Sequence, residues 1–133
     1  MSKIFIDTNV FIYALDKNSK YHEWSKTILT DSKIDLLTTT KNISEFFAVT
    51  TKFGLQFEST FSFYKEMRKN CTILFPSEKS LTKFANLLEK YPSKGNRVFD
   101  SEIASILSNG LNRLASLNKR DFEEITEIKT EIL

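Results

Sequence analysis

Four acidic residues stand at positions where a carboxylate needs a reason. Asp7 lies between the apolar runs IFI and VFIYAL, Glu45 in KNISEFFAV, Asp100 in NRVFDSEIASIL and Asp121 in LASLNKRDFEEI. A charge beside buried flanks is costly unless it is paired, hydrogen-bonded or bound to a cation. Each acid also has an ordinary reading. Asp7 can cap a helix beginning near Val10, and Glu45 can be a solvated helix position. Asp100 suits the positive end of a helix dipole, and Asp121 suits a turn or cap. As a set they suggest more, because clustered carboxylates repel one another and are tolerated when a divalent cation neutralises them. Oxygen ligands without cysteine or histidine favour Mg²⁺ or Mn²⁺ over zinc.

Other chemistries have little to work with. The chain has one histidine, His22, and one cysteine, Cys71. It contains neither a Gly-x-Ser-x-Gly elbow nor a glycine-rich phosphate loop. With 133 residues, 41% of them hydrophobic and 13% aromatic, it reads as a single domain over residues 1–133. No apolar run approaches the roughly 20 residues of a membrane span, and the N-terminus lacks the order of a signal peptide. A lone cysteine cannot form an internal disulfide, so a cytoplasmic location is expected. The net charge of +2 is too small to argue nucleic-acid binding by itself.

The elements that must position these acids follow from periodicity. Lys3 to Ile6 reads as a strand and Val10 to Leu15 as a short helix. Tyr21, Trp24 and Ile28 recur at helical spacing, with Trp24 in the core. Ile34 to Thr39 reads as a strand. Lys41 to Phe53 reads as a helix stopped by Gly54, with Ile43, Phe46, Phe47 and Thr50 on one face. Phe57, Phe61, Tyr64 and Met67 mark the apolar face of the next helix, leaving Phe63 off it, in an exposed apolar groove suited to a partner helix. Cys71 to Phe75 is a strand closed by Pro76. Ser77 or Ser80 caps a helix whose stripe is Leu81, Phe84, Leu88 and Tyr91. A helix over about Val98 to Ser108, a short strand in RLASLN and a final strand in ITEIKTEIL complete the chain. Strands separated by helices predict a largely parallel sheet covered on both faces, with ligands beyond the carboxyl ends of its strands. Asp7 falls at that edge.

The segments IFIDTNVFIYAL, NISEFFAV, FDSEIASIL and LASLNKRDF, in this order, resemble a PIN domain, the metal-dependent ribonuclease fold of VapC-like toxins. The resemblance implies a three-layer α/β/α fold with a central, mostly parallel sheet of about five strands. Asp7, Glu45 and Asp100 match the family's metal-binding acids, and Thr8 and Asn9 the small polar pair that buttresses them. At the fourth position the chain departs from the family. Asn118 stands where an acid is usual, and Asp121 precedes Phe122. Ser116 and Asn118 are expected to hold the site by hydrogen bonds, with Asp121 as a ligand, a supporting group or a capping acid.

The implied activity is Mg²⁺- or Mn²⁺-dependent hydrolysis of RNA by the toxin of a toxin–antitoxin pair. The alternative is a catalytically silent PIN-like module that binds RNA or protein. Setting the four acids aside leaves 13 of the 17 acidic residues against 19 basic ones, a surface suited to a polyanion. Lys94, Asn96, Arg97, Lys119 and Arg120 flank the proposed site as RNA contacts. Expected partners are the RNA substrate, an antitoxin in the apolar groove and a second copy of the chain, with no membrane.

Overall fold

The computed structural model describes residues 2–95, 97–107, 113–115 and 131–132. Its order is β1 (Ser2–Ile6), α1 (Thr8–Leu15), α2 (His22–Leu29), β2 (Ile34–Thr39), α3 (Thr40–Lys52), α4 (Phe57–Asn70), β3 (Cys71–Leu74), α5 (Glu78–Lys90), α6 (Arg97–Leu107), β4 (Arg113–Ala115) and β5 (Glu131–Ile132). The five strands form one sheet in the order β3-β2-β1-β4-β5, parallel at every pairing.

β1 is central, and its run Ile4-Phe5-Ile6 is completely buried. A continuous apolar run suits a strand covered on both faces. Alternation divides it: Ile4 and Ile6 pack with Val10, Phe11, Ile28, Phe46 and Met67 from α1 to α4. Phe5 points the other way, against Ile103 and Leu107 of α6. Leu87 of α5 packs with Ala104 of α6. Helices on both faces make the three-layer α/β/α arrangement.

The chain stops α3 with Gly54 in the left-handed region (φ 71°). The Leu55 and Gly54 amides donate to the Thr50 and Thr51 carbonyls, each at 3.1 Å. This Schellman closure satisfies the last carbonyls and needs a residue without a side chain at that turn.

Two helices sit in a different rotation from the one their apolar residues suggest. In α4 the buried positions are Thr60 and Met67. Phe63 packs inward beside them, stacked on Phe46 at 5.5 Å and edge-on to Phe11 at 6.3 Å. Phe57 and Phe61, expected inside, are 58% and 36% exposed. Phe63 is therefore a core contact and does not line an exposed groove. With aromatics on both sides of the helix, spacing alone leaves its rotation open. In α5 the buried face runs through Ser80 and Leu87, while Leu81 is exposed. The capping box that joins Ser77 and Ser80 turns Ser80 inward and leaves Leu81 outside.

Trp24 packs against the larger core cluster, as does Cys71. Burial pushes the Cys71 thiol from 9.0 up to about 11. His22 is a partly buried link, with Nδ1 3.0 Å from the Tyr13 carbonyl. Tyr13 and Tyr21 pack on each other at 5.2 Å. No helix among the described residues is long and apolar enough to cross a membrane. The expected helix end at Ser108 lies outside the described residues, as do Ser116 to Asn118 and most of the final strand.

Candidate active site

The sheet's connectivity selects the place. From β1 the chain steps outward to β2 and β3, then crosses over α5 and α6 to β4 on β1's other side. In such sheets the crevice forms at the carboxyl ends of the strands where the order reverses. Asp7 is the first residue beyond β1 at that point.

Asp7 is buried and is the N-cap of α1. Its Oδ1 accepts from the Thr8 amide at 2.8 Å and from Asn42 Nδ2 at 3.2 Å. The helix therefore begins at Thr8, two residues before Val10, and the capping role of Asp7 coexists with its place at the sheet edge. Thr8 Oγ1 accepts from Asn42 Nδ2 at 3.0 Å and donates to Glu45 Oε2 at 2.9 Å. Glu45 is thus half-buried and held, unlike a solvated helix position. β2 contributes its polar end: Thr38 Oγ1 donates to the Ile6 carbonyl at 3.1 Å, tying the two strand ends together. Asp100 sits in the first turn of α6, as its dipole reading expects.

Together these elements enclose a cleft of about 490 Å³. Asp7, Thr8 and Asn9 line one side; Lys41, Glu45, Ala48 and Val49 come from α3, and Arg97, Phe99, Asp100 and Ile103 from α6. Lys41 Nζ lies 3.8 Å from the centre of the Phe99 ring, a cation–π contact that joins α3 to α6 across the cleft.

Of the residues anticipated from sequence, Asp7, Thr8, Asn9, Glu45, Arg97 and Asp100 share this cleft. Lys94 is exposed on the preceding loop and does not line it. Asp121, Ser116, Asn118, Lys119, Arg120 and Asn96 lie outside the described residues. Four residues that the sequence reading did not single out complete the surroundings: Thr39, Lys41, Asn42 and Phe99. Asn42 and Lys41 precede Glu45 by three and four positions, the spacing that shares a helix face, and Phe99 adjoins Asp100. Among the described residues, no group of three or more His, Cys, Asp or Glu side chains is gathered closely enough to hold a metal ion. The three carboxylates share one cleft without converging on a point.

A parallel α/β fold with an acid-lined cleft at its switch point defines the class, and the sequence comparison supplies the family. The PIN domain profile matches residues 4–128, and the chain belongs to the PIN domain family. Solved structures share the fold. VapBC2 from Rickettsia felis, bound to a DNA fragment from their promoter, aligns with a TM-score of 0.71 at 20% identity, covering 98% of each chain. VapC20 from Mycobacterium tuberculosis, a sarcin-ricin loop cleaving toxin, aligns at 0.75 and 10% identity, covering 95% of this chain and 97% of its own. A toxin–antitoxin complex from Klebsiella pneumoniae aligns at 0.65 and 15%, covering 98% and 95%. No curated protein matches the chain.

Proposed function

We propose that this chain, acting as one domain over residues 1–133, is a Mg²⁺- or Mn²⁺-dependent endoribonuclease and the toxin of a toxin–antitoxin pair. One observation carries the reading: Asp7, Glu45 and Asp100, from three separate elements, line one cleft at the carboxyl edge of the central strand. The donor set suits a hard divalent cation, since the cleft offers carboxylate oxygens and neither thiol nor imidazole. Asp7 and Asp100 would hold the ion, with Glu45 as a further ligand or as the base that orients water. When bound, such an ion lowers the pKa of a coordinated water and offsets charge on the phosphoryl oxygens.

The chain's own groups would do the rest. Lys41 and Arg97 meet the phosphates, which supply most of the affinity for a polynucleotide. Phe99, 38% exposed at the cleft, offers a face on which a base can stack. Lys94, Lys119 and Arg120 would extend the basic surface, Ser116 and Asn118 would hold the site by hydrogen bonds, and Asp121 would serve as a ligand, a supporting group or a capping acid. The antitoxin would sit on the aromatic surface where Phe47, Phe57, Phe61 and Tyr64 contact one another with centroids 5.5–6.4 Å apart. Pairing of two copies and a cytoplasmic setting belong to the same proposal. Its support is the family membership, together with solved neighbours that include toxin–antitoxin complexes.

The test is cleavage of a mixed single-stranded RNA pool with Mn²⁺, with chelator, and by Asp7→Asn in Mn²⁺. The expected result is cutting that needs both the ion and Asp7. Cutting that persists unchanged in chelator or in Asp7→Asn overturns the proposal.

A further inference from the structure

We infer that Asn42 is the positioning residue of this cleft: it fixes one oxygen of Asp7 and, through Thr8, the direction in which Glu45 is held. The inference rests on the ribonuclease reading only for what the aligned carboxylates are used for.

Asn42 is fully buried although its side chain carries two donors and two acceptor sites. The hydroxyl of Thr39, also fully buried, determines which way the amide faces. That hydroxyl accepts the Asn42 backbone N–H at 3.2 Å and donates to Asn42 Oδ1 at 2.5 Å. With Oδ1 held there, the two N–H groups face Asp7 Oδ1 at 3.2 Å and Thr8 Oγ1 at 3.0 Å. The reverse orientation would set the amide oxygen against the Asp7 carboxylate and leave the Thr39 proton facing an NH₂ group. The network therefore fixes the orientation. Because the Thr8 oxygen accepts from Asn42, its own proton is directed to Glu45 Oε2 at 2.9 Å; the alternative acceptor, the Asn42 carbonyl, is farther at 3.4 Å. Asn42 and Glu45 share the face of α3 turned toward α1. The result is a one-way chain, Thr39 to Asn42 to Thr8 to Glu45, with a branch to Asp7. Buried networks of this kind strengthen one another where water is excluded.

A purely structural Asn42 would anchor α3 on α1 and do nothing to the cleft. The two roles separate in variants whose changed side chains do not line it. Asn42→Ala keeps the Thr39 hydroxyl's bond to the backbone amide and removes the branch to Asp7 and Thr8. Thr39→Val removes the group that orients the amide. Thr38→Val is the control, since Thr38 is equally buried and its hydroxyl is also bonded, but to the Ile6 carbonyl. The full chain is titrated with Mn²⁺ alone at fixed pH, free ion being read by electron paramagnetic resonance, and each variant's Tm is recorded.

Support for a metal ligand is worth about ten- to a hundredfold in metal affinity. Asn42→Ala is expected to lose that much and Thr39→Val to lose affinity in the same direction. Thr38→Val should stay within about twofold of wild type despite a lowered Tm. If Asn42→Ala does not fold, Thr39→Val against Thr38→Val decides the matter. The inference is overturned if folded Asn42→Ala and Thr39→Val bind as wild type does, or if Thr38→Val loses as much as they do. A wild-type chain that binds no Mn²⁺ is a different result: it removes the ribonuclease reading and this inference with it.

Discussion

Asp7 has two jobs that chemistry can separate, because asparagine copies one of them and not the other. The side chain caps α1 and accepts from the buried amide of Asn42. In Asp7→Asn the amide oxygen can accept the same two N–H groups, and asparagine is as good an N-cap as aspartate. Stability should then change by no more than about 1 kcal/mol. Asp7→Ala loses the cap, about 1 kcal/mol. It also strands the Asn42 donor where no water reaches it, about 1–3 kcal/mol more. The sum is about 2–4 kcal/mol, a fall in Tm of roughly 6–18 °C for a domain of this size. Thermal unfolding followed by circular dichroism in chelator measures this without any contribution from bound ion. Asp7→Ala should melt well below Asp7→Asn, while both lose Mn²⁺ binding. If the two variants melt within about 2 °C of each other, the carboxylate does not hold α1 and α3 together and the account of its burial is wrong.

Phe63→Ala should cost about 2–4 kcal/mol in urea unfolding, less than a fully buried phenylalanine, while Phe57→Ala, on a 58% exposed side chain, should cost under about 1; equal costs would return Phe63 to the surface. The Cys71 thiol, raised to about 11 by burial, is protonated in both states below its ordinary 9.0. Stability should therefore fall as pH rises between those values, where the unfolded chain has lost a proton that the folded one keeps. Cys71→Ala should remove that part of the slope, and an unchanged slope would refute the assignment. Lys41→Ala should weaken RNA binding about equally across sequences and lower the salt dependence by about one charge. A loss confined to particular sequences would argue against a phosphate contact.

Much of this architecture is written locally. The run Ile34 to Thr39 is the observed β2, and Gly54 ends α3 where it was expected to. Such features depend on neighbours within a few residues. So does the placement of Asp7, because an acid directly after an apolar strand has one edge of the sheet to go to. Rotation is harder. α4 carries Phe57, Phe61, Phe63 and Tyr64 on more than one side, and what chooses between them is the shape left by Phe11 and Phe46, both distant in sequence. The same reason hid Asn42. Its partners Asp7 and Thr8 are 35 and 34 positions away, and its spacing from Glu45 could mark it only once α3 was known to face α1. Lys41 and Phe99 likewise meet only because the fold brings the start of α3 and the start of α6 to the two sides of one cleft.

The central claim is that one cleft seats the ion that cutting requires. It is tested most directly by a crystal structure of the wild-type chain soaked in Mn²⁺, with anomalous differences recorded. The account predicts a peak between Asp7 and Asp100, within reach of Glu45, and its loss in Asp7→Asn. A peak elsewhere on the surface, or an unchanged peak in Asp7→Asn, would contradict it.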